Sequence, residues 1–105
     1  MNELLVTEIQ VIPVKPNNGL VAFASCVIND QFYLGNIGIH SSFSSESSYR
    51  LVYPIKTLAN GKALNCFYPV NKSVGSKMQT AIIDKYKKLI ERVGRENDTA
   101  STRER

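Results

Sequence analysis

The chain has one histidine, His40, and two cysteines, Cys26 and Cys66, in 105 residues. A structural or catalytic metal site draws several Cys, His or acidic ligands together. These three residues are isolated in sequence and form no such cluster. No Gly-rich phosphate loop and no nucleophile motif is present. His40 stands beside Ser41 and Ser42 without a neighbouring carboxylate to orient it, so the pair lacks the third member of a nucleophilic triad. The sequence therefore predicts a protein that is not an enzyme and uses no metal. The most apolar run, Leu20 to Ile28, is nine residues long, too short to span a bilayer. Met1-Asn2-Glu3 lacks a basic n-region and no cleavage pattern follows. These absences predict a cytoplasmic protein without membrane insertion. Both cysteines lie in apolar, strand-like runs and read as reduced thiols in a core.

What is abundant is positive charge in one place. Between Lys72 and Val93 there are six basic residues (Lys72, Lys77, Lys85, Lys87, Lys88, Arg92) against two acids (Asp84, Glu91), a net +4. Residues 1–71 carry four bases and four acids, and residues 94–105 carry three of each. The formal +4 of the whole chain thus sits on one segment. Charge gathered in this way makes a local positive field that draws polyanions and is weakened by salt.

At this length the chain predicts a single domain over residues 1–93, followed by a disordered polar tail over 94–105. Residues 4–14 are rich in Val and Ile and read as a strand. Pro16-Asn17-Asn18-Gly19 reads as a turn, because Pro presets φ while Asn and Gly accept φ > 0. Leu20–Ile28 and Gln31–Ile39 read as two strands joined through Asn29-Asp30. Both faces of Leu20–Ile28 are apolar, with Ala22, Ala24 and Cys26 on one and Val21, Phe23 and Val27 on the other. Such a strand belongs in the middle of a sheet. One helix covers only one face, which leaves the other for a second subunit. His40 to Ser48 reads as a Ser-rich loop. Tyr49–Ile55 and Ala63–Tyr68 read as the fourth and fifth strands, with a hairpin at Asn60-Gly61. The fold class expected is α+β: an antiparallel sheet of about five strands, then a C-terminal amphipathic helix, in a dimer.

The helix is expected from Lys72 to Val93, capped by Asn71 or Ser73 and stopped by Gly94. Met78, Ile82, Tyr86, Leu89, Ile90 and Val93 form its core face. At 100° per residue Lys77, Lys85, Lys88 and Arg92 share a stripe beside that face. Such a stripe suits phosphate tracking. It equally suits a solvated helix face on which Lys85 and Lys88 pair with Asp84 or Glu91. The aromatics Tyr33, Tyr49, Tyr53, Phe67 and Tyr68 read as core, since no single-strand-binding motif organises them.

Several stretches together resemble one bacterial family, the stage V sporulation protein G (SpoVG, septation regulator) family. They are Val6-Thr7-Glu8-Ile9, Phe32-Tyr33-Leu34-Gly35-Asn36-Ile37, and Leu51-Val52-Tyr53-Pro54 followed by a turn at Gly61. Tyr68-Pro69-Val70-Asn71 is similar to the family's His-Pro-Ile-Asn, and Lys77-Met78-Gln79-x-Ala81-Ile82 with Tyr86 resembles the helix after it. The likeness covers roughly residues 5–90 and holds without a gap from Tyr49 to Tyr86. It implies a homodimer that binds DNA, and in some members RNA, and regulates gene expression and septation. It implies no enzyme, no cofactor and no small-molecule substrate. Lys77 stands where the family has a basic residue early in the helix, and Lys56 stands in its basic segment after Met-Pro. With Lys72, Lys85, Lys88 and Arg92 these are the candidate nucleic-acid contacts. Gly75 occupies a place where family members often carry Arg, Thr57 replaces a second basic residue, and Gln10 and Ile12 stand where Arg is common. The Ser-rich loop replaces a shorter turn. The alternative reading is a protein-interaction module without nucleic-acid binding. It would use an exposed strand edge or the Ser-rich loop to hold a division or regulatory protein.

Overall fold

The turns determine the architecture, and each has a local cause. In the computed structural model, which describes residues 4–42 and 48–104 with side chains as far as Glu91, Asn18 and Gly19 both have positive φ (54° and 93°). So do Asn29 and Asp30, at 53° and 56°. Two consecutive left-handed residues make the mirror-image turn whose twist matches that of the flanking strands. They join β1 (Val6–Asn17) to β2 (Leu20–Ile28), and β2 to β3 (Phe32–Ser41). The Gln31 N–H donates to the Ile28 carbonyl at 2.9 Å to close the second turn. The Asn29 side chain accepts the Leu5 N–H at 2.7 Å and ties the chain's beginning to this corner.

β4 (Tyr49–Val52) completes a four-stranded antiparallel sheet in the order β1-β2-β3-β4. β2 is internal, as its two apolar faces require. The expected fourth strand is divided at Tyr53-Pro54. Its remainder, β5 (Ile55–Thr57), pairs with β6 (Ala63–Asn65) in a separate two-stranded sheet. Pro54 offers no N–H to a ladder, which is why the pairing changes there. Gly61, at φ 89°, makes the tight turn of this second hairpin, and the Asn60 side chain accepts the Lys62 N–H at 3.0 Å. The fold is thus α+β, and the described residues form six strands in two sheets and one C-terminal helix.

Two bulges set which side chains enter the core. Glu8 (φ 49°) and Asn36 (φ 60°) are left-handed, and the register of β1 against β2 and of β3 against β2 shifts beside them. An extra residue in one strand carries the next side chain back to the same face. Hence Val6, Ile9 and Val11 all pack on the core, and so do Leu34, Ile37 and Ile39. With Ala22, Ala24 and Cys26 they make the sheet's buried face.

α1 (Lys72–Glu104) packs on that face. Asn71 caps it: its side chain accepts the Val74 N–H at 2.8 Å, and its carbonyl accepts the Gly75 N–H at 3.1 Å. The helix continues past Gly94, which does not stop it. Met78, Ile82 and Tyr86 are buried as the periodicity requires, and Ile83 joins them. Leu89 is half-buried and Ile90, two turns beyond Ile83 on the same side, is exposed, so at this level the core stripe narrows toward Leu89. Val93 lies outside the described side chains, as do all those of residues 94–105.

Three other expectations are corrected. Cys66 is exposed just after β6, whose own residues are exposed as well; only Cys26 is a core thiol. Tyr33 and Tyr68 are exposed at 72% and 54%, while Tyr49, Tyr53 and Phe67 pack against the core. His40 and Ser41 belong to β3, cross-strand from Arg50 and Tyr49, and not to a loop. Residues 43–47 of the Ser-rich segment lie outside the described residues. Among the described residues no helix is long and apolar enough to cross a membrane.

Candidate nucleic-acid interface

The helix start sets the position of every cation after it. The Asn71 cap makes Lys72 the first helical residue, and no acid occupies the first turn. The partial positive charge of the helix N-terminus is therefore not offset locally. Lys72, Lys77, Lys85, Lys87 and Lys88 are all exposed. Lys77 and Lys88 lie about three turns apart on one side, with Lys85 beside them on the flank away from Ile83. Lys88 Nζ is 3.3 Å from Asp84 Oδ2, one turn earlier, and both side chains are well exposed. Such a pair contributes little to stability and opens readily.

Lys72 and Lys87 stand on the opposite flank. The Lys87 ammonium lies 6.0 Å from the centre of the Tyr49 ring, at the margin of a cation–π contact. Tyr49 in turn meets Tyr86 edge to face, with centroids 5.1 Å apart. Sequence periodicity missed this flank and Ile83 alike. The signal was the Ile82-Ile83 pair, which widens the apolar stripe toward β4. Arg92 is in α1, its side chain outside the described residues. Lys56 is exposed in β5, on the other sheet, and does not extend the stripe.

Burial alters the chemistry of three groups beneath the helix. It pushes the Tyr53 hydroxyl up to about 12, with a smaller contribution from Cys26. The Tyr53 O–H points at Met78 Sδ, 3.8 Å away. Burial likewise raises Cys26, and it raises Tyr86 with lesser help from Tyr49. All three are held in their neutral forms and serve packing. Among the described residues no three His, Cys, Asp or Glu side chains come together as metal ligands.

These features define a small α+β domain with a capped, cationic C-terminal helix laid on one face of an antiparallel sheet. Residues 4–88 match the SpoVG family, and the chain belongs to it. A relative from Treponema denticola is 29% identical over 83 residues, covering 79% of this chain and 86% of the relative. One from Acetivibrio thermocellus is 23% identical over 84 residues, covering 80% and 86%. Both carry the name "Putative septation protein SpoVG".

Proposed function

We propose that this chain is a homodimeric nucleic-acid-binding regulator of gene expression and septation, in the cytoplasm, and that it holds phosphates through α1. The observation that carries the reading is the exposure of Lys77, Lys85 and Lys88 on one flank of a helix that holds the chain's net positive charge. The septation role follows the names of the two relatives. Lysines on phosphates supply affinity and little sequence information.

The dimer is supported by the uncovered face of the sheet. Ile12 pairs with Phe23 across β1 and β2, and they are exposed at 65% and 40%. A second copy covering this face would remove that apolar surface from water, and a two-fold axis would double the cationic helix. Sedimentation of wild type and of an Ile12→Glu/Phe23→Glu variant tests it. Wild type should sediment as a dimer and the variant as a folded monomer; a wild type that is monomeric at every concentration would refute it.

For the nucleic-acid reading, the test is fluorescence anisotropy with DNA and RNA at low and physiological salt. Wild type should bind in a salt-sensitive manner, and Lys77→Ala/Lys88→Ala/Arg92→Ala should lose binding while keeping its circular dichroism. Absence of wild-type binding at low salt would refute this mechanism.

A further inference from the structure

Among the described residues β4 is an edge strand, with β3 on one side and no strand on the other. Its backbone parity can be read from two hydrogen bonds. The Ser48 carbonyl accepts the Ser42 N–H at 2.8 Å, so Ser48 and Arg50 face β3. The Tyr49 carbonyl faces the other way and accepts Gln79 Nε2 of α1 at 3.4 Å. Leu51 has the parity of Tyr49, so its N–H and C=O point outward. They point into a cleft of about 550 Å³ between β4 and the first half of α1.

The cleft is built unevenly. Leu51, Tyr53, Pro69 and Ile83 give it apolar surface, and Ser76 and Thr80 add hydroxyls from the helix. Tyr53 is held in place by its contact with Met78 and by Phe67, which meets its ring edge to face at 6.0 Å. Lys72 and Lys87 stand at the two ends of the helix wall. They are about 22 Å apart along the axis at 1.5 Å per residue, the reach of six or seven extended residues. Neither has a carboxylate partner among the described residues. The one acid at the rim, Asp84, is engaged by Lys88.

We propose that this cleft binds an acidic, extended segment of a partner protein, which adds to the edge of β4 beside Leu51. Its backbone pairs with the outward groups of Leu51. Alternate apolar side chains enter the floor, and carboxylates meet Lys72 and Lys87 at the ends. This is strand addition, in which main-chain bonds give affinity and side-chain pockets give specificity. A peptide fits better than a nucleic acid, because the floor is apolar and the outward N–H and C=O of Leu51 match a peptide backbone rather than phosphates. The proposed phosphate-binding flank begins at the cleft's rim, where Lys88 meets Asp84, and runs away from the cleft along Lys77 and Lys85, so the two readings are tested by different resonances.

The test is a ¹⁵N–¹H titration of the full chain with a capped seven-residue peptide of alternating Glu and Val. Saturable shifts are expected at Leu51, Gln79, Thr80 and Lys87, and Lys87→Glu should weaken binding about tenfold or more, the scale of losing one charge-assisted contact. The Lys/Val counterpart should not bind, and N-methylation of alternate peptide residues should abolish binding. Absence of saturable shifts, shifts confined to the Lys77–Lys85 flank or the open sheet face, or undiminished binding of the N-methylated peptide would overturn the proposal. A single-stranded 20-mer shifting the cleft resonances would assign it to nucleic acid instead. Cleft shifts on simple dilution of the free protein would assign it to a second copy of the chain.

Discussion

Lys88 is 3.3 Å from Asp84, one helical turn apart, in the middle of the cationic flank. The pair lowers the field that the helix offers to a polyanion without adding much stability, since both partners are well exposed. Asp84→Asn should therefore strengthen nucleic-acid binding at low salt while moving stability by no more than about 0.5 kcal/mol. Anisotropy and chemical denaturation check the two halves. An unchanged affinity would mean that the flank does not meet phosphates.

Ile82 and Ile90 occupy equivalent places in a simple helical pattern but not in the packed protein. Ile82 is fully buried and Ile90 is 36% exposed. Ile82→Ala should cost about 2–5 kcal/mol through lost transfer energy and a residual cavity. Ile90→Ala should cost far less in the same urea titration. Equal costs would mean that the helix sits rotated from the position described.

The buried Tyr53 hydroxyl makes stability fall at alkaline pH. Its value is about 12 in the folded protein against 10.0 when unfolded. The folded state therefore keeps this proton over a range in which the unfolded chain has lost it. A group raised in this way contributes fully below pH 10, and its contribution disappears as pH rises toward 12. Unfolding free energy should decline across that window, and Tyr53→Phe should decline less steeply because Tyr86 alone among the raised tyrosines remains. Identical slopes would refute the assignment to Tyr53.

Gly75 lies in the helix just after the cap, with ordinary helical φ. A Cβ there would meet Pro69 Cγ at 3.6 Å and Pro69 Cβ at 3.9 Å, normal van der Waals contacts. Gly75→Ala should then stabilise by about 0.5–1 kcal/mol, since glycine carries that penalty inside helices. Gly75→Arg adds a cation to the first turns of α1. If it reaches a phosphate, the slope of log affinity against log salt should steepen by about 0.9.

Much of this protein was legible because its signals are local. Asn18-Gly19, Asn29-Asp30 and Asn60-Gly61 mark the hairpin turns they make, since few other residues tolerate φ > 0. Asn71 caps the helix because its side chain needs only the Val74 N–H three residues on. The gathering of charge between Lys72 and Arg92 needs no fold to be seen. The tertiary structure decided the rest. The bulges at Glu8 and Asn36 break the period of two that strand reading depends on, so the inward set on β1 and β3 appears only once they pair with β2. Whether Cys66 is buried depends on which segments pack on the small sheet, and its neighbouring residues do not say that it is exposed. The cleft beside β4 joins residues about thirty apart in sequence, such as Leu51 and Gln79. Backbone conformation is dictated by adjacent residues and is readable from them; burial, edges and clefts arise from which distant segments meet, and only the packed chain settles that.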